Sequence, residues 1–194
     1  MQLTTPTLLT IFRIAAVPAI VSVYLLDFKY GHWYCAILFA LAGLSDFLDG
    51  YLARKWQQES KLGEFLDPVA DKLLVVILLL LVASDPKVDK LLVAPLLAKI
   101  SIMVIVAREI IVSALREWMA EIGKREVVAV SGLGKWKTTA QMVAMGAFLF
   151  QKPLLFLPTM LIGETLIHVA AVLTIWSMMT YVKAASKATV TASK

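Results

Sequence analysis

Apolar residues gather in six long runs along the chain: Thr7–Leu26, Trp33–Ala53, Val69–Ser84, Leu91–Leu115, Thr138–Phe150 and Leu161–Val182. A helix needs roughly 18–25 mostly apolar residues to cross ~30 Å of hydrocarbon. Two of the six runs are shorter than that and must draw residues from their flanks. The pattern predicts an all-α integral membrane protein of six transmembrane helices in a single domain, residues 1–194. A small polar stretch, residues 184–194, is expected to form a flexible tail.

Composition sharpens this reading. AVILMFWYC residues make up 60% of the chain and the mean hydropathy is +0.80, against about 45–50% apolar for a soluble domain. Met1–Pro6 carries no basic segment and the first run holds Arg13 near its start, so no cleavable signal is expected. Cys35 is the single cysteine, which excludes an intrachain disulfide. If both termini share one side of the membrane, that side receives eleven Lys and Arg residues; the other receives five, Lys29, Lys87, Lys90, Lys99 and Lys152. Lys/Arg excess marks the cytoplasmic face, so both termini are expected there. The net charge of +5 fits attraction to anionic headgroups rather than nucleic acid, since no basic stretch interleaves with aromatics.

One segment contradicts the apolar background. Ser45–Lys72 (SDFLDGYLARKWQQESKLGEFLDPVADK) holds four aspartates. At 100° per residue, Asp46, Asp49, Gly50, Ala53 and Arg54 share an arc of about 140° on the second helix. Gly63, Asp67 and Asp71 follow at i, i+4, i+8 on the third. Two antiparallel helices joined by a short polar connection, Lys55–Leu62, can turn two carboxylates each toward a common point. Carboxylates near hydrocarbon are costly and require neutralisation by protonation, basic partners or bound cations. Arg54 and Lys72 are the nearby bases, too few for four charges. Two divalent cations would balance them, and oxygen-only ligation suits Mg²⁺, Mn²⁺ or Ca²⁺. Zinc is disfavoured, because Cys35, His32 and His168 are unclustered. A structural reading stands beside this one: Asp67 as an N-cap before Pro68 at N1, with Asp46 and Asp49 paired to Arg54 or Lys55 at the interface. Four aspartates on matching faces beside small residues favour function. Cations framed by carboxylates can clamp a diphosphate, while one carboxylate takes a proton from an attacking hydroxyl. A divalent-cation transporter would also use intramembrane carboxylates, but these lie toward one face and have no inverted repeat.

The spacing Asp46-x2-Asp49-Gly50-x2-Ala53-Arg54-x8-Gly63-x3-Asp67-x3-Asp71 resembles the signature of the CDP-alcohol phosphotransferase family at every position. The resemblance implies a six-helix, usually dimeric membrane enzyme that joins a CDP-linked donor to an alcohol and releases CMP. It implies that Asp46, Asp49, Asp67 and Asp71 surround two divalent cations, Mg²⁺ or Mn²⁺, with Asp71 as general base. Asp46, Gly50, Ala53, Arg54 and Gly63 would line the donor pocket. The family's Leu-Thr-x-x-Arg matches Leu9–Arg13 and adds Thr10 and Arg13 to that pocket. The asparagine often preceding the family's proline is replaced here by Thr4 and Thr5 before Pro6.

The second half narrows the acceptor. Ala107–Ile111, Ala114–Trp118 and Gly134–Gln141 resemble bacterial family members that use CDP-diacylglycerol and sn-glycerol 3-phosphate. A phosphorylated acceptor requires a basic pocket. Arg108 lies within a span, where an unpaired guanidinium is costly; Arg116, Lys135 and Lys137, with Thr138, complete the expected acceptor-phosphate set. Inositol phosphate as acceptor would need similar charge, and Arg116, Lys135 and Lys137 also read as ordinary positive-inside residues. Pairing of Arg108 with Glu109 is not expected, because adjacent helix residues point apart. Glu164 and His168, at i, i+4, are expected to form an interfacial hydrogen-bonded pair. The five tryptophans mostly flank spans, as an aromatic belt does.

Overall fold

The structure, a computed structural model, describes residues 5–26, 28–56, 61–123 and 132–192; the side chains of 6, 50, 53, 54, 56, 61, 64, 132–135 and 187–192 lie outside that description. The described residues are helical almost throughout: α1 Thr5–Leu26, α2 Gly31–Trp56, α3 Lys61–Ser84, α4 Pro86–Leu91, α5 Pro95–Glu121, α6 Gly132–Phe150 and α7 Thr159–Ala192. Five of the six apolar runs are helical throughout and most extend past the hydropathic limits; the run Leu91–Leu115 is broken at residues 92–94, and α5 begins at Pro95. The two short runs gain their length as the sequence requires, α3 starting at Lys61 and α6 at Gly132. Only the lipid-matched part of a helix leaves a hydropathic trace, so polar turns at either end go unseen. The six-residue α4 has too few residues to show a period.

Among the described residues three helices are long and apolar enough to cross a membrane by length and composition: Thr7–Leu26, Gly31–Asp49 and Thr159–Ser186. Charges interrupt two of the others, Asp67, Asp71 and Lys72 in α3 and Lys99, Arg108 and Glu109 in α5. Large apolar side chains are exposed along the helices, among them Leu26, Phe47, Ile110 and Val172. In water that surface would be unfavourable; against lipid it is the expected exterior.

The chain forms two compact units, Met1–Leu91 with Met145–Met160, and Leu92–Ala144 with Leu161–Lys194. In the first, α1 packs along α2 and α3. Ala16, Ala42 and Ala70 are buried, small side chains that let helix backbones approach, and Ile20, Leu78, Leu79 and Phe148 fill the remaining core. After α6 the chain turns sharply: Gln151 and Leu155 take left-handed φ values of 56° and 55°, and Leu154 and Leu157 exchange two backbone hydrogen bonds. In the second unit Val112, Met119, Tyr181 and Ala185 form a buried cluster covered by Leu115 and Met178.

Two local expectations fail here. Pro68 lies inside α3, so Asp67 is not an N-cap; a helix that begins at Lys61 has passed its first turn before it reaches the proline. Glu164 and His168 do not pair. Glu164, buried in α7, accepts hydrogen bonds from the backbone N–H groups of Val93 (2.8 Å) and Ala94 (2.6 Å) at the start of α5. His168 Nδ1 lies 2.9 Å from Ser101 Oγ. Each side chain finds a better partner on α5 than on its own helix. The carboxylate of Glu164 answers the orphan amides and partial positive charge of a helix N-terminus. Glu164→Ala strands those donors, and a loss of about 1–3 kcal/mol is expected, read as a lower melting temperature of the detergent-solubilised protein, with Glu164→Gln less affected.

Candidate active site

Three of the motif's four aspartates meet around Arg13 of the first helix, and the fourth, Asp67, meets Thr10 of the same helix. Arg13 is completely buried, one turn after Thr10 on the same face of α1. Its Nη1 lies 3.0 Å from Asp46 Oδ1 and 2.5 Å from Asp71 Oδ1, and its Nη2 pairs with Asp49 Oδ2. Thr10 Oγ1 donates to Asp67 Oδ1 at 2.5 Å. Helical periodicity explains the convergence. Asp46 and Asp49 are three residues apart on α2, Asp67 and Asp71 four apart on α3, and Thr10 and Arg13 three apart on α1, so each helix presents two polar groups on one stripe.

Arg13 corrects the charge balance drawn from the sequence, which counted only Arg54 and Lys72 as nearby bases. The resemblance marks Arg13 as a donor contact; the structure also makes it the counter-ion of three carboxylates. A signal for this was present, since an intramembrane arginine needs an anion as much as the aspartates need a cation. Gly63 is buried on α3. Gly50, Ala53 and Arg54 lie on α2, and their side chains are outside the described residues.

Exposure divides the cluster. The Asp49 side chain is 6% exposed, whereas those of Asp46 and Asp71 are 54% and 52% exposed. The buried carboxylate anchors Arg13; the two open ones face whatever enters. Among the described side chains, four carboxylates against one guanidinium leave the cluster negative if all are ionised. The donors are all oxygen, which by type and number fits hard divalent cations. Among the described residues no three acidic side chains are already gathered as a metal cage.

The residues expected to hold the acceptor phosphate belong to the second unit. Arg108 and Lys137 are buried, and both donate to Glu109 Oε1, at 2.9 and 2.6 Å. The Arg108–Glu109 pair is therefore real, contrary to the angular argument. Adjacent positions diverge at Cβ, yet an arginine and a glutamate are long enough to bend back toward each other. Arg116 lies over the Tyr181 ring, 5.7 Å from its centroid, a cation–π contact. Thr138 is exposed on α6, and the Lys135 side chain is outside the described residues.

A family model described as CDP-alcohol phosphatidyltransferase matches residues 3–176. The chain belongs to the CDP-alcohol phosphatidyltransferase family. Among curated proteins it is 46% identical to a CDP-diacylglycerol–glycerol-3-phosphate 3-phosphatidyltransferase of Pectobacterium atrosepticum, over 95% of this chain and 96% of that protein. Proteins of the same description from Salmonella choleraesuis and Shigella flexneri are 47% and 46% identical over the same shares.

Removing Arg13 while keeping its partners isolates the counter-ion role. Arg13→Met takes the guanidinium away from buried Asp49 and is expected to cost about 3–5 kcal/mol, measured as a loss of melting temperature in chelator. Added Mg²⁺ should restore part of that loss in the variant, because a cation can take over the neutralisation.

Proposed function

We propose that this chain transfers a phosphatidyl group from CDP-diacylglycerol to sn-glycerol 3-phosphate, giving phosphatidylglycerophosphate and CMP, a step toward phosphatidylglycerol and cardiolipin. The observation that carries the reading is the meeting of Asp46, Asp49, Asp67 and Asp71 with Thr10 and Arg13, in a family member whose similar relatives are named for this reaction.

The residues take the following roles in the proposal. Asp46, Asp49, Asp67 and Asp71 hold two divalent cations, Mg²⁺ or Mn²⁺. Thr10, Arg13, Asp46, Gly50, Ala53, Arg54 and Gly63 bind the cytidine diphosphate portion of the donor. Arg108, Arg116, Lys135, Lys137 and Thr138 bind the phosphate of the acceptor, with Glu109 holding Arg108 and Lys137 in place. Asp71, pinned by Arg13 through Oδ1 yet half exposed, takes the proton of the C1 hydroxyl. The hydroxyl oxygen forms a bond to the phosphorus bearing diacylglycerol, and the bond from that phosphorus to the bridging oxygen breaks, releasing CMP. When bound, the cations supply charge neutralisation for the diphosphate and for the departing CMP.

The proposed setting is the cytoplasmic (inner) membrane of a bacterium, with six spans, both termini and the active site cytoplasmic. The chain acts as one membrane domain, 1–194, with 184–194 as its tail, in a homodimer. That placement lets a water-soluble acceptor meet a lipid-borne donor at one interface.

CMP release by the purified protein, given CDP-diacylglycerol, Mg²⁺ or Mn²⁺ and one acceptor at a time, tests the reading. Release with sn-glycerol 3-phosphate alone, abolished by chelator, is expected; release only with another alcohol such as inositol phosphate would overturn the acceptor, and none with any acceptor would overturn the reaction. Asp71→Asn should lower turnover about 10²–10⁴-fold, the range for a lost general base. Lys137→Gln should raise KM for the acceptor about 10–100-fold, the worth of one hydrogen bond to a charged group, while KM for the donor stays unchanged.

A further inference from the structure

A second polar site lies at the other end of α1. Between Arg13 and Tyr24 the helix rises about 16 Å, and there a cavity of about 570 Å³ opens in the first unit. Three lysines from three separate parts of the chain line it: Lys29 between α1 and α2, Lys87 in α4, and Lys152 after α6. The reaction proposed above uses none of them.

The interior of the cavity is organised. Tyr24 donates to Asp85 Oδ2 at 2.5 Å, and Gln151 Nε2 donates to Tyr24 Oη at 2.7 Å. The left-handed φ of Gln151 turns the chain where this contact is made, a conformation uncommon for a residue other than glycine. Asp85 also accepts from the backbone N–H of Lys87 at 2.8 Å. Among the described lining residues Asp85 is the one carboxylate; it is held by its neighbours, and the three lysines outnumber it. His32 lines the same space, and its buried Nε2 has no hydrogen-bond partner among the described residues.

Charge and size select the occupant. An excess of ammonium groups calls for an anion, and the volume falls within the ~300–1,000 Å³ of small-ligand sites. Apolar Val23, Leu25 and Leu81 share the lining. Exposed Phe28, Tyr30, Trp33 and Tyr34 adjoin it in sequence, and such aromatics collect at headgroup level. We propose that this cavity is a second phosphate-binding site, separate from the carboxylate cluster, which takes an anionic phosphate group through Lys29, Lys87 and Lys152. The phosphate is carried either on a lipid headgroup or on a soluble ester.

The test compares three full-length, detergent-purified proteins: wild type, K29Q/K87Q/K152Q and K29R/K87R/K152R. Each is titrated with dioctanoyl-phosphatidylglycerol, with dioctanoyl-phosphatidylcholine and with inorganic phosphate. Arg108, Arg116, Lys135 and Lys137 are intact in all three, so a difference between the proteins isolates the cavity. The expected result is anion binding at least tenfold weaker in the glutamine variant, restored in the arginine variant, and reduced by added salt, as exposed charges are screened. Circular dichroism and CMP-release turnover equal to wild type show that the variants are folded. Lysine-dependent binding of phosphatidylglycerol alone assigns the phosphate to lipid; lysine-dependent binding of inorganic phosphate assigns it to a soluble source. Equal binding by all three proteins, no binding by any, or phosphatidylcholine bound as tightly as phosphatidylglycerol would overturn the site.

Discussion

The buried guanidinium of Arg13 is the constraint on which the first unit depends. An arginine with no exposed surface in a helix as apolar as α1 is strongly unfavourable unless it is paired and hydrogen-bonded. Its partners come from both neighbouring helices, Asp46 and Asp49 from α2 and Asp71 from α3. A shift of either helix by one residue would turn its carboxylates about 100° away. The pairing thus sets the rotation of three helices, which apolar contacts alone would leave free to slide. Net stability is not what such a pairing contributes, since an apolar replacement of both sides can be as stable. It contributes register, and it holds Asp46 and Asp71 half open at the edge of a fixed structure.

The second unit follows the same rule with the signs reversed. Arg108 and Lys137 are buried on a common acceptor, Glu109, and the Glu164 carboxylate rests on the amides that begin α5. One carboxylate shared by two cations leaves the group net positive. That would suit the phosphate of the proposed acceptor, because the cations are ordered before a ligand arrives and the ligand need not organise them.

Hydropathy made the helices legible, because ~30 Å of hydrocarbon imposes a length that any sequence must meet. The polar ends of α3 and α6 lay outside that signal, and with them the true position of Pro68. Helical angles predicted that the aspartates of α2 and α3 turn to a common point, because all four lie on short side chains that follow their Cβ directions. The same angles misled for Arg108 and Glu109, whose length frees the charged ends from the backbone direction. The role of Arg13 as counter-ion needed the third helix in place: one sequence shows which faces are polar, but not which polar faces meet. Glu164 and His168 failed for that reason too, their partners lying about seventy positions away in Val93, Ala94 and Ser101.

The opposite signs of the two groups bear on how the proposed reaction is ordered. With all four aspartates ionised, the carboxylate cluster would repel a diphosphate unless cations were present, so in the proposed reaction donor binding would be coupled to metal binding. The group around Arg108 is positive and attracts a phosphate ester directly, with no cation needed. The proposed transfer would then depend on metal through its donor and its leaving group, and not through recognition of the acceptor. Arg13 makes this coupling graded. With its own positive charge already among the aspartates, the cluster would hold its helices together between turnovers while staying negative enough to draw in the proposed cations. A cluster neutralised entirely by protein side chains would have lost its attraction for metal, and four bare aspartates would not have held three helices together. One buried arginine satisfies both requirements.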